Sequence, residues 1–181
     1  MTYHPQPGDF GLSTIGGPLG KFVSFAQLVV GDPSRYQHAF LVLDDDTVVE
    51  AQPGGARITP LDRWLANEGR KPLAFSVADL TPVQRASLVA AGRRLVGTPY
   101  SFLDYLSLAL LARGTRPKWV VRRVRNSGHL ICSQLVDLVY RQAGLQLFAD
   151  DRDSGDVTPG DLAYVDLPWL RIRHLEYNER S

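Results

Sequence analysis

The sequence predicts an α+β fold in which helices pack against an antiparallel sheet. Between residues 36 and 51, one apolar run follows His38 and a second run ends at Glu50, with an acidic turn between them, which predicts a β-hairpin. Thr81 begins a stretch with the capping residues of a helix. Apolar residues follow Cys132 at helical spacing as far as Ala143, which predicts a second helix to cover the sheet.

Length and composition predict one domain, spanning residues 1–181, and narrow its possible partners. With 44% hydrophobic and 22% charged residues, the chain can form a full core. A net charge of +1 does not favour nucleic-acid binding. The single cysteine, Cys132, excludes an internal disulfide and a metal site built on cysteines.

Localisation is predicted from the absence of two targeting patterns. Residues 1–7 are polar and lack the basic and apolar regions of a secretory signal. The most apolar stretch, residues 105–112, is much shorter than the roughly 20 apolar residues that span a bilayer. We therefore expect a soluble protein of the cytoplasm, with a phage-associated or exported setting left open.

The first elements are a short strand and a helix. Residues 8–13 should be an entering loop and a strand, and residues 19–30 should be helical. Turn residues at positions 31–35 then lead into the hairpin.

The register of the hairpin decides which side chains share a face. If Asp44–Asp46 is a symmetric three-residue loop, Phe40 faces Glu50 and His38 faces Gln52. All four side chains then lie on one side of the sheet, and Glu50 is a diagonal neighbour of His38. A two-residue loop would instead put Glu50 on the opposite face from His38.

The middle of the chain should alternate strands and helices. Residues 57–65 predict a short strand and one helical turn, and residues 73–77 predict another strand. Thr81 is a good N-cap because proline follows it and glutamine stands where a capping box requires it, so a helix should run to about Val96. A further apolar helix should follow, over residues 101–112.

A basic run precedes the cysteine. No acidic residue occurs between positions 105 and 136, and the basic residues there are Arg113, Arg116, Lys118, Arg122, Arg123 and Arg125. Such runs are often solvated faces, and the alternative is a peripheral contact with an anionic membrane, cell wall or substrate.

Cys132 should lie in the first turn of its helix. There, unpaired backbone N–H groups and the positive end of the helix dipole favour the thiolate and can bind an oxyanion. A cysteine nucleophile needs a base, and the base needs an orienting group, so Cys132, His38 and Glu50 form a possible catalytic set. The alternative for the thiol is a small buried hydrophobe.

Several alternatives to this set stay open. Gln52 competes with Glu50 as the group that orients the imidazole. His129 competes as the base, although it lies three residues before the cysteine and outside the helix, and His4 and His174 are further candidates. Beyond Gly144 we expect an acidic loop, a helical turn over residues 158–163 and a final strand over residues 170–177.

In these motifs the sequence resembles the circularly permuted branch of the NlpC/P60 superfamily, papain-like cysteine hydrolases in which the histidine strand precedes the cysteine helix. The resemblance implies a papain-like antiparallel sheet packed against helices. The matching stretches cover nearly the whole chain and are residues 8–10, 38–42, 49–51, 57–61, 97–100, 131–136 and 157–162.

The resemblance also implies roles and an activity. Cys132 would be the nucleophile, His38 the general base and acid, and Glu50 the residue that orients the imidazole. Tyr100 matches a family position whose tyrosine helps to hold the oxyanion. From its strand position and not from the resemblance, Gln52 is a second candidate for contact with the oxyanion or substrate. No metal or organic cofactor is expected. The expected activity is cleavage of amide bonds in cell-wall peptides or in N-acyl or lipid-linked amides.

Two other functions remain possible on the same fold. One is a non-catalytic binding or structural module, in which the thiol would be inert. The other is an acyltransferase that takes acyl groups from phospholipids, with the basic run as its docking face on a membrane.

Overall fold

A computed structural model of the chain describes residues 4–17, 34–52, 54–66, 71–99 and 132–175, together with residues 20, 21, 24 and 69. The predicted helix at 101–112 lies outside these residues, as does most of the one at 19–30. The strands are β1 (Phe10–Ser13), β2 (His38–Val42), β3 (Thr47–Gln52), β4 (Gly55–Pro60), β5 (Pro72–Ala78) and β6 (Leu170–His174). The helices are α1 (Leu61–Leu65), α2 (Pro82–Arg94), α3 (Cys132–Gln142) and α4 (Pro159–Ala163), and a 3-10 turn spans Ser154–Asp156.

The described strands form one six-stranded sheet in the order β4-β3-β2-β1-β5-β6. Every neighbouring pair is antiparallel. The predicted α+β class is confirmed, and the strand that begins with His38 occupies the interior of the sheet. No helix in the described part of the chain combines the length and apolar composition that crossing a membrane requires.

The hairpin between β2 and β3 has the symmetric register. Leu41 pairs with Val49, Val42 pairs with Val48, and the N–H group of Leu43 donates to the carbonyl of Thr47 at 2.8 Å. The loop is therefore the three residues Asp44–Asp46, and its last two residues have φ of 55° and 51°. The two-residue loop is excluded, and His38 and Glu50 share a face.

Each face of the sheet has its own core. Because side chains alternate along a strand, Leu12 and Leu41 point to one side, where they pack with Leu88 of α2 and Val136 of α3. On the other side, the core consists of Phe40, Val42, Val48, Leu61, Trp64 and Phe75. Helix α1, immediately after β4, thus covers the face that carries His38 and Glu50.

Helix α3 is fixed along its buried side by two polar contacts. The Ser133 hydroxyl donates to the carbonyl of Val157 at 2.6 Å, and the Tyr140 hydroxyl donates to the carbonyl of Gly8 at 2.7 Å. Both hydroxyls are buried, so the two bonds select one position of the helix along the sheet. As predicted, the helix ends before Gly144, whose φ of 77° suits glycine.

The predicted cap of α2 is also confirmed. Thr81 accepts from the N–H group of Gln84, and the Gln84 side chain accepts from the N–H group of Thr81. Thr158 and Asp161 make the same reciprocal pair at the start of α4. The last strand, β6, is shorter than predicted and ends at His174.

Candidate active site

His38 and Glu50 form a buried pair on neighbouring strands. His38 is the first residue of β2, and its Nε2 atom lies 2.8 Å from Oε2 of Glu50 on β3. The exposed fractions of the two residues are 3% and 0%. Because an ionised carboxylate can only accept hydrogen bonds, Nε2 carries the proton of this bond and Nδ1 remains for another partner.

Cys132 is the second neighbour of the imidazole. It is the first residue of α3, is buried, and hydrogen-bonds through its side chain to the His38 imidazole. Its sulfur also accepts from the backbone N–H groups of Ala39 and Ser133. Ala39 lies before the residues that pair β2 with β3, and its N–H group points to the sulfur. The start of the helix, the start of β2 and the imidazole thus surround one sulfur atom.

The surroundings change the pKa values of both groups. Burial lowers the pKa of His38, but the hydrogen bonds to Cys132 and Glu50 and the negative charges of both outweigh it and raise the pKa to about 9. Burial raises the pKa of Cys132, whereas the hydrogen bond to His38, the imidazolium charge and the two backbone N–H groups bring it below its ordinary value. These shifts favour a thiolate next to an imidazolium.

Glu50 has further neighbours that the sequence did not single out. The indole Nε1–H of Trp64 donates to Oε2 of Glu50 at 3.0 Å, the same oxygen that faces His38. On the other oxygen, the Thr59 hydroxyl lies at 3.5 Å and Nε of Arg57 at 3.7 Å. The side chain of Arg57 is 59% exposed, so water screens its attraction. A buried tryptophan N–H needs an acceptor, and that requirement at Trp64 is the signal that was available in the sequence.

Gln52 lies at the end of β3, opposite Gly55 of β4. Its Nε2 atom is buried and has no hydrogen-bond partner among the described residues. The imidazole of His38 donates its hydrogen bond to Glu50 rather than to Gln52. Gln52 therefore presents an unused donor on the same face as His38.

The other predicted candidates are placed elsewhere or fall outside the description. Nδ1 of His174 lies 2.8 Å from the Tyr36 hydroxyl, and His4 is exposed near the start of the chain. Tyr100, His129 and the basic run from Arg113 to Arg125 lie outside the described residues.

The described residues contain no cluster of three or more histidine, cysteine, aspartate or glutamate side chains that could hold a metal ion. No protein-family model matches the chain, and no curated protein matches it either.

Proposed function

We propose that the protein is a cysteine-dependent hydrolase of amide bonds that works through a thioester acyl-enzyme. The observation that carries the proposal is the buried series of contacts from Cys132 through His38 to Glu50. Each member has the neighbour that its role requires: the nucleophile contacts the base, and the base contacts an acidic group. The substrates we propose are cell-wall peptides and N-acyl or lipid-linked amides.

Acylation begins with the thiolate of Cys132. The sulfur attacks the amide carbonyl, and the negative charge moves to the carbonyl oxygen. The imidazolium of His38 then donates its proton to the leaving nitrogen, the C–N bond breaks, and a thioester and a free amine result. Glu50 keeps the imidazole ring oriented and supports its positive charge.

Deacylation regenerates the thiolate. Water attacks the thioester carbonyl while the neutral imidazole of His38 takes a proton from it. The C–S bond breaks, a carboxylic acid leaves, and Cys132 is again a thiolate beside an imidazolium. The backbone N–H of Cys132 at the helix start is one donor for the oxyanion in both steps, and the candidates for a second donor are Gln52 and Tyr100.

We further propose that the fold is the circularly permuted papain-like fold of the NlpC/P60 superfamily. The order of the elements supports this, because the strand that begins with His38 precedes the helix that begins with Cys132. The strand belongs to the antiparallel sheet, and the helix packs against that sheet.

The lowered pKa of the Cys132 thiol favours a reactive cysteine over the inert thiol of a binding module.

The test is a screen of cell-wall peptides and N-acyl amides with the wild-type protein and the variant Cys132→Ala. We expect hydrolysis by the wild type alone, with a thioester on Cys132 that mass spectrometry detects after rapid acid quenching. Transfer of the acyl group to an added amine or alcohol in place of water would instead indicate an acyltransferase. Equal turnover by the two proteins, or no thioester with any substrate, would contradict the proposal.

A further inference from the structure

We propose that Trp64 is a positioning residue, which holds the Glu50 carboxylate against His38 through its indole N–H group. Its relevance to catalysis rests on the function proposed above, whereas the contact itself can be tested without any substrate. Two donors meet at one carboxylate oxygen of Glu50. Oε2 of Glu50 lies 2.8 Å from Nε2 of His38 and 3.0 Å from Nε1 of Trp64.

Glu50 needs such a constraint because of its place in the sheet. The register of the hairpin makes it a diagonal neighbour of His38, so its side chain has to lean along the sheet to reach the imidazole. A glutamate side chain has several rotatable bonds and loses entropy when one rotamer is imposed. The second hydrogen bond, from Trp64, fixes the oxygen that faces His38 and makes this rotamer the preferred one.

Trp64 is itself held firmly. It lies in α1, is buried, and its ring centroid is 4.1 Å from that of Phe40. The Phe40 ring lies over Gly11, where an added Cβ would come within 2.1 Å of it, so a larger residue at that position would displace the ring. Phe75 packs edge-on against Phe40, with 5.8 Å between the ring centroids. The indole therefore has little freedom to turn its N–H group away from Glu50.

The same cluster supplies a donor to the buried carboxylate of Glu50. The residue is 0% exposed, so its oxygens depend on protein donors in place of water. Without the indole N–H, the carboxylate would turn toward Thr59 and Arg57 at its other oxygen. That turn would weaken its support of the His38 imidazolium, and the pKa of His38 would fall.

The test compares Trp64→Phe with Val42→Ala, since Val42 belongs to the same apolar cluster but has no polar group to offer Glu50 and has no part in the ring contacts that hold Trp64. The readout is the pKa of the His38 imidazole by NMR titration of histidine-labelled protein. In the wild type it should be about 9. We expect Trp64→Phe to lower it by roughly half a pH unit or more, less than the one to three units that loss of a nearby charge produces. Val42→Ala should leave it at the wild-type value.

Replacing the indole by the isosteric benzothiophene ring, which exchanges the N–H for sulfur, repeats the comparison if Trp64→Phe does not fold. The proposal is overturned if the His38 pKa in Trp64→Phe or in the benzothiophene variant is equal to or above the wild-type value. A lowered His38 pKa supports the proposal. Hydrolysis of amide substrates by the wild type is measured in a separate assay. If the wild type hydrolyses no amide while the pKa still falls, the positioning contact holds and only the proposed function fails.

Discussion

At the scale of single residues, Glu50 shows how a strand position acquires a specific partner. Its neighbours along β3, Val49 and Ala51, are ordinary core residues, yet Glu50 is buried as completely as they are. A buried carboxylate is costly unless hydrogen bonds and opposite charge compensate. Here the compensation comes from His38 and Trp64, so the stability of the carboxylate and the charge of the imidazole depend on each other.

This dependence gives a prediction that separates Glu50 from Gln52. The substitution Glu50→Gln keeps a hydrogen-bonding side chain but removes the negative charge, so the pKa of His38 should fall from about 9. Turnover should fall about 10- to 100-fold, the range seen when a group that orients a functional imidazole is lost. Gln52→Ala removes no charge and should leave the pKa of His38 unchanged, whatever it does to turnover.

NMR titration of His38 and steady-state kinetics of the two variants are the measurements. A lowered pKa in Gln52→Ala together with an unchanged pKa in Glu50→Gln would reverse the assignment of the orienting group. Thermal unfolding of both variants serves as the control for folding.

At the scale of elements, α3 is the part whose position the site depends on most. Its apolar face was readable from the spacing of Leu135, Val136 and Val139 after Cys132. The sequence gives no direct sign of how far the helix slides along the sheet, because a stripe of apolar side chains tolerates several positions. The buried bond from Ser133 to the carbonyl of Val157 supplies that information.

Ser133→Ala should therefore destabilise the fold. The buried carbonyl of Val157 loses this donor, which costs about 1–3 kcal/mol of unfolding free energy. Ser87→Ala is the matched control, since its hydroxyl also donates to a backbone carbonyl but does so on the exposed side of α2, where changes stay within about 0.5 kcal/mol. In urea unfolding, only Ser133→Ala should lower the urea concentration at the midpoint of the transition, and it should do so without changing the dependence of the unfolding free energy on urea concentration. Equal midpoints for the two variants would contradict the role assigned to this bond.

At the scale of the whole molecule, local patterns were predictable and long-range ones were not. The hairpin, the capping box at Thr81 and the helix at Cys132 each depend on a few neighbouring residues, so the sequence displays them. The order of the sheet places β1 between β2 and β5, a pairing between distant segments for which the sequence carries no local signal. The sequence showed Trp64 as a donor that needs an acceptor, but it did not show that the acceptor is Glu50, because that contact requires α1 to fold back over the sheet.

The same difference between local and long-range contacts applies to the candidate active site. The sequence left two registers of the hairpin open, and only one of them puts His38 and Glu50 on the same face. The pairing of Leu41 with Val49 decided between them. The approach of Cys132 to His38 could be predicted from chemistry, since a thiol nucleophile needs a base. The contact between the Ala39 N–H group and the sulfur could not be predicted. That N–H group is available only because the pairing of β2 with β3 stops before it.

The proposed mechanism requires Cys132 to be a thiolate paired with the His38 imidazolium at neutral pH. Its most direct test is the rate of iodoacetamide alkylation of Cys132 as a function of pH, in the wild type and in His38→Ala. In the wild type, the titration midpoint should lie below that of a free cysteine, because the imidazolium keeps its charge up to a pKa of about 9 and stabilises the thiolate. In His38→Ala the burial remains and the positive charge is lost, so the midpoint should rise. A wild-type midpoint at or above that of a free cysteine, unchanged by His38→Ala, would contradict the claim.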